Sequence, residues 1–415
     1  MTPVTFDQLW ESLLPIGREE STGGYRRFAW TEAGLACRAW FTDEARRRSM
    51  AVETDRNGNL WAWWDRRDRR PDTPGEPPDD RADAVVTGSH LDSVPDGGAY
   101  DGPLGIVSAF AAVDLLRERA VVPRRPLAVV AFSDEEGARF GIACVGSRLL
   151  TGALDPIRAR ALTDPDGIAL AKAMRSAGAD PDRIGRDDEA LRRIGCLVEL
   201  HIEQGRALTD TPAPVAVANA IWPHGRWRFD FTGAADHAGT TRLEDRRDPM
   251  LTFANTVLAV RKKARLAGAR ATVGRVRVQP NGTNAIPSAV QAWLDARAAD
   301  EPTLDALVRD IATAATERGG RDGVEVRSTE ESRTPAVEFD AALRERIRAV
   351  LGGVPQLPTA AGHDAGILAA VVPTAMLFVR NPTGVSHSPA EHAERADCRA
   401  GVSALAAVLE DLLSR

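Results

Sequence analysis

Residues 84–105 read AVVTGSHLDSVPDGGAYDGPLG, and the fold follows from how this stretch is built. Ala84 to Thr87 is a short apolar run, as expected of a strand buried on both faces. A glycine-rich loop follows, and from Leu104 to Leu116 the apolar residues recur at helical spacing. Leu127 to Phe132 is a second strand of the same buried kind, and Cys196 to Leu200 a third, after a charged helical region. This β-α-β order predicts an α/β fold with a parallel or mixed central sheet covered by helices. Upstream, Met50 to Val52 and Leu60 to Trp64 flank the turn residues 55–59 and read as a hairpin. Asp65 to Asp83 is almost wholly charged or Pro/Gly, the composition of a solvent-exposed loop.

Near Val215 the pattern changes. Trp227, Phe229 and Phe231 alternate with Arg226, Arg228 and Asp230, which gives that strand one wet face. A helix is expected from Pro249 to about Ala267, then strands at Ala271–Val278 and Ala289–Arg297. A second helix, Thr303–Arg318, and a strand, Val324–Ser328, complete a self-contained α+β module. The chain then returns to a buried run, Val371–Val379, that rejoins the first sheet. The expected division is a catalytic domain of residues 1–214 and 333–415, interrupted by an insert of residues 215–332.

Composition narrows the partners. A length of 415 residues exceeds one typical core, so two domains are expected. With 53 basic against 59 acidic side chains no basic face emerges, which argues against nucleic acid. Cys37, Cys144, Cys196 and Cys398 are scattered without C-x-x-C spacing and fit a reducing cytoplasm. No apolar run approaches the roughly 20 residues that span a bilayer, and no secretory signal is visible, so a soluble cytoplasmic protein is expected.

The strongest chemical feature is a set of metal-ligand side chains, each just beyond a predicted strand, where sites form in open α/β sheets. His90 follows the first strand, and Asp101 lies in the glycine-rich loop 97–102. Glu135 and Glu136 follow Phe132, His201 follows Leu200, and His387 lies past the last buried run. One histidine alone is more often a packed or surface residue than a ligand. Such groups gathered at successive strand ends are harder to dismiss. A two-metal site needs a bridging carboxylate, and the flexible loop of Asp101 suits that task. His90 and His201 then complete one metal, Glu136 and His387 the other, while Asp92 orients the His90 imidazole. Glu135 remains free of the metals as general base.

GSHLDSV, GGAYDGPLG, SDEEGARFG, ELHIEQG, DHAGTT, NAIPS and GVSHSPAE occur in this order along the chain. In this the sequence resembles, from about Phe6 to Leu413, the dinuclear metallohydrolases related to aminoacylases and zinc carboxypeptidases. It is most similar to the branch of N-carbamoyl-L-amino acid hydrolases, allantoate amidohydrolases and ureidopropionases. The resemblance implies two divalent ions (Zn, Mn, Co or Ni) and a homodimer formed through the insert, which serves as a lid that closes over the substrate. It also implies that His237, in DHAGTT, donates to the substrate carbonyl oxygen, and that Asn284 contacts substrate. Arg297 then holds the substrate carboxylate, a task for which a guanidinium fork is suited. Gln204 is expected at the ureido group and His363 in the pocket, whereas His224 and His392 read as surface residues. The expected substrate is a small ureido carboxylate, allantoate first, then N-carbamoyl-L-amino acids or ureidopropionate. The contrasting class is a non-catalytic metal-binding scaffold; such descendants usually lose a ligand or the base, and here all are present.

Overall fold

The computed structural model describes residues 5–65 and 81–414, so most of the charged loop expected at 65–83 lies outside the described residues. The chain forms two compact units, Met1–Ala220 with Glu338–Arg415, and Ile221–Val337.

Along the first unit run β1 (Ala51–Thr54), β2 (Leu60–Trp64), β3 (Ala84–His90), β4 (Leu127–Phe132), β5 (Ile194–Ile202) and β6 (Val215–Ile221). The insert carries β7 (His224–Thr232), β8 (Asp236–His237), β9 (Arg270–Gln279), β10 (Ala285–Ile286), β11 (Ala289–Arg297) and β12 (Glu325–Thr334). After it come β13 (Val337–Glu338), β14 (Gln356–Thr359) and β15 (Thr374–Val379). Among the described residues one nine-stranded sheet has the order β1-β2-β4-β3-β5-β15-β6-β13, with β14 against β6.

Its centre, β4-β3-β5-β15, is parallel, and the flanking β2 and β6 run antiparallel to it. Every residue of β3, β4 and β15 is buried, the result of covering both faces with helices. The helix Pro103–Glu118 presents Ile106, Phe110, Val113 and Leu116 to that core and packs beside the helix Arg395–Leu413.

Two details differ from the sequence expectation. First, β3 and β5 do not stop short of their histidines. His90 pairs with Phe132, and His201 with Phe378, because central strands flanked on both sides keep extending their ladders. Second, Val215–Ile221, assigned above to the insert, pairs with β15 through Leu377↔Val217. Its residues are apolar without alternation, the mark of the doubly covered sheet; alternation starts only at His224.

The insert has its own four-stranded antiparallel sheet, β12-β7-β11-β9. One face buries Trp227, Phe229, Phe231, Val290 and Leu294 against the helices Pro249–Leu266 and Glu301–Asp322. The other face carries Arg228, Asp230, Gln291, Trp293 and Arg297, all partly exposed. Beside it, β8 pairs with β10 through Ala285↔His237, which sets His237 next to Asn284. Among the described residues no helix is long and apolar enough to cross a membrane.

Candidate metal centre and active site

Four neighbouring parallel strands deliver the candidate ligands to one edge of the first unit. His90 closes β3, His201 lies one residue from the end of β5, Glu135 and Glu136 follow β4, and His387 follows β15. Asp101 enters from the loop between β3 and the helix Pro103–Glu118. That loop needs Gly102, which sits at φ +82, where a Cβ would lie 2.4–2.6 Å from ring atoms of His90.

Asp101 divides its two oxygens between two groups. Oδ1 faces His90 Nε2 at 3.5 Å and His201 Nε2 at 3.1 Å. Oδ2 faces His387 Nε2 at 3.2 Å, and that nitrogen also lies 3.6 Å from Glu136 Oε2. These are the two triads His90–Asp101–His201 and Asp101–Glu136–His387. Ligands about 2.1 Å from a tetrahedral zinc stand about 3.4 Å apart, the spacing found here. A third grouping, Glu199–His201–His363, shares His201.

The backbone fixes which imidazole nitrogen is free. His90 Nδ1 lies 3.1 Å from the carbonyl of Asp92, and His201 Nδ1 2.9 Å from that of Ile202. A carbonyl can only accept, so both protons belong on Nδ1, and each Nε2 points a lone pair at the Asp101 carboxylate. Both Nε2 atoms are buried without a hydrogen-bond partner. At this distance the carboxylate and each Nε2 need positive charge between them, a proton or a metal ion. The residues present therefore fit divalent metal.

Charge in the pocket points the same way. Burial works against the His90 imidazolium, yet Glu135, Asp101 and Asp92 outweigh it and raise its pKa well above the usual value. Burial likewise opposes the Asp101 carboxylate, but the three imidazoles hold it well below the ordinary range. Burial and then the Asp101 charge push Glu136 up to about 7.

Glu135 is buried with its Oε2 3.7 Å from His90 Nε2, while Oε1 accepts from the Cys144 thiol at 3.2 Å. Burial, followed by the charges of Asp364, Glu136 and Asp92, raises its pKa well above the usual carboxylate value, with His90 opposing. Asp92 faces the His90 ring as expected of it, with its backbone oxygen 3.1 Å and Oδ1 3.6 Å from Nδ1. The His90 ring is oriented by its backbone carbonyl; its carboxylate accepts the amides of Glu135 at 3.2 Å and Glu136 at 3.0 Å, fixing the acidic turn. Gln204 Nε2 donates to Asp101 Oδ2 at 2.6 Å, which commits that nitrogen to the protein. His363 is buried, its ring 4.5 Å from that of His201, and burial drives its pKa well below the usual value.

Apart from His392, the remaining residues singled out in the sequence belong to the insert. His237 is exposed, and its Nδ1 accepts the amides of Gly239 at 3.0 Å and Thr240 at 3.2 Å. Its proton is thereby placed on Nε2, a free donor. Arg297 is held by Asp295, Nε to Oδ1 at 2.8 Å, on the wet face of β11 opposite His224. Asn284 is exposed in the loop before β10. His224 is half-buried with Nδ1 3.1 Å from the Trp222 carbonyl, and His392 is about half exposed beside Glu394.

Sequence reasoning passed over two buried carboxylates. Glu199 joins Ser89 Oγ at 2.7 Å to the Ala365 amide at 3.0 Å, and Glu391 binds the Asp101 loop. A lone acid inside the apolar run CLVELHI was the readable sign of the first. The second stood unremarked at the end of GVSHSPAE.

Clustered imidazoles and carboxylates at the carboxyl edge of a mixed sheet, with a spare buried carboxylate beside them, define a metal-dependent hydrolase. Residues 86–411 match the peptidase family M20/M25/M40, and the chain belongs to that family. It is 38% identical over 411 residues to an N-carbamoyl-L-amino acid amidohydrolase of Geobacillus stearothermophilus, covering 96% of both chains. It is 30% identical over 420 residues to an allantoate amidohydrolase of Escherichia coli, with 98% of both chains covered. Among solved structures, a hydantoinase/carbamoylase family amidase from Burkholderia vietnamiensis superposes with a TM-score of 0.84 at 28% identity, covering 100% of this chain and 98% of that one. The chain is accordingly an amidohydrolase acting on C–N bonds other than peptide bonds.

Proposed function

We propose that this enzyme cleaves the C–N bond of a ureido group on a small carboxylate, using two divalent cations held by His90, Asp101, Glu136, His201 and His387. The observation that carries the reading is the division of Asp101, one oxygen toward each histidine group. N-carbamoyl-L-amino acids are placed ahead of allantoate, reversing the order expected from sequence, because the 38% relative is named for the former.

When bound, the cations polarise the scissile carbonyl and make water a better nucleophile. Glu135 takes the proton of the attacking water on Oε2 and delivers it to the departing nitrogen. Burial, the first cause of its raised pKa, makes this carboxylate a stronger proton acceptor than an exposed one. His237 Nε2–H serves the developing oxyanion, Arg297 the substrate carboxylate, and Asn284 and His363 the remaining polar groups of the substrate.

The insert is also assigned to homodimerisation. Its helix Pro249–Leu266 exposes Leu251, Leu258 and Leu266 at two-turn spacing, and β9 is an uncovered edge strand. Leu258→Glu should shift the solution mass toward the monomer in light scattering; an unchanged mass removes this face from the interface.

The direct test is ammonia release by the Mn- or Zn-supplemented enzyme on N-carbamoyl-L-amino acids, allantoate, ureidopropionate and N-acetyl-amino acids. Turnover of a ureido compound supports the proposal. Activity on acetylated substrates alone sinks it.

A further inference from the structure

Glu391 lies in the loop that carries His387, and nothing above gives it a role in the reaction. The residue is 5% exposed, and among the described residues no arginine or lysine pairs with it. A buried carboxylate without a counter-charge is costly unless its oxygens are fully hydrogen-bonded. Oε2 accepts two backbone amides, Tyr100 at 2.9 Å and Asp101 at 3.0 Å. Oε1 accepts the Ser386 hydroxyl at 3.1 Å. Gly98 makes room for this approach, since a Cβ there would lie 2.3 Å from Oε2.

The five candidate ligands are not equally well fixed. His90 and His201 sit on central strands, and a backbone carbonyl orients each ring. His387 is on a loop, at φ +54, with its side chain 52% exposed. Two bridges tie its loop to Asp101: Gln204, whose Nε2 donates to Asp101 Oδ2 and to Ser386 Oγ, and the chain from the Asp101 amide through Glu391 to Ser386, whose oxygen lies 3.2 Å from Asp101 Oδ2.

We propose that Glu391 is a positioning residue that locks the Asp101 loop to the His387 loop and so sets how tightly the second cation is held. The inference rests on the two-cation reading above. Glu391 touches neither substrate nor cation; it acts through the separation of Asp101 Oδ2 and His387 Nε2.

The test compares metal binding by purified wild type, Glu391→Leu, Glu391→Gln and His387→Ala, using Mn²⁺ titration by calorimetry and metal analysis after dialysis. Wild type should hold two equivalents. In Glu391→Leu the second should bind about 10- to 100-fold more weakly, as for other residues that orient ligands. Glu391→Gln, whose amide oxygen can accept both backbone amides, should stay close to wild type. At saturating Mn²⁺ the Leu variant should lose kcat while KM holds. Wild-type binding by Glu391→Leu overturns the inference, and so does equal weakening in the Gln variant, which would make charge and not the lock responsible. Should the Leu variant fail to fold, Ser386→Ala breaks the same chain and is read the same way. His387→Ala separates the two ideas: if it keeps both equivalents, the two-cation reading itself falls. If it loses one while Glu391→Leu loses none, only the lock falls.

Discussion

Histidines in the two units are set up in opposite senses. In the catalytic unit, His90 and His201 give their Nδ1 protons to backbone carbonyls and aim bare Nε2 atoms into a buried pocket. In the insert, His237 accepts two backbone amides at Nδ1, which leaves an N–H on Nε2 in an exposed loop. The same side chain thus presents a bare ring nitrogen in one place and an N–H in the other. Its role is decided by whether the local backbone offers a carbonyl or an amide. The surroundings differ accordingly. Burial and neighbouring charge fix the first pair inside a packed sheet, whereas the insert presents its polar groups on surfaces that water reaches.

The sharpest way to break this contrast is to remove one histidine of each kind. His201→Ala should abolish turnover and lower the metal content, because Asp101 Oδ1 loses one of its two imidazole companions. His237→Ala should keep its full metal content and lose about 10²- to 10³-fold in kcat, the usual effect of deleting one oxyanion donor. Metal analysis beside steady-state kinetics reads both. Equal metal loss in the two variants would erase the distinction. Between them falls Glu135→Gln, which should hold metal normally and lose about 10²- to 10⁴-fold in rate. Retained activity there would move the base elsewhere.

The same contrast explains what could be read from the sequence. The sheet was legible because its strands are continuous apolar runs, and a ligand at the end of each run needs no knowledge of the partner strand. Asp101 was legible because glycines surround it. The division of labour within Asp92 was hidden, since backbone carbonyls carry no letter in a sequence and the ring of His90 chose one. Glu391 was hidden for a related reason: its partners are backbone amides 290 and 291 positions away. The strand Val215–Ile221 joins the first sheet, and its apolar residues without alternation, against the alternation that begins at His224, were the readable sign of it. In the insert the elements were legible from alternation, while the use of its exposed residues came from the DHAGTT and NAIPS resemblance and not from any burial signal.

Arg297 is where that borrowed reading can be tested on its own terms, with the smallest expected effect. Asp295 holds the guanidinium at two points, Nε to Oδ1 at 2.8 Å and a second nitrogen to Oδ2 at 3.2 Å, so the fork is oriented before any ligand arrives. A bidentate contact to a carboxylate is worth about 1.5–3 kcal/mol, or about 10- to 100-fold. Because the carboxylate takes no part in bond cleavage, its binding energy is the same in ground and transition states. Arg297→Ala should therefore raise KM for an N-carbamoyl-L-amino acid by about that factor and leave kcat within a few-fold. Arg297→Lys should recover little, since an ammonium cannot reproduce the fork. The decisive control is the corresponding N-carbamoyl amino amide, which lacks the carboxylate: wild type and Arg297→Ala should handle it alike. If the variant loses as much on the amide as on the acid, Arg297 supports the insert's structure and does not read the substrate.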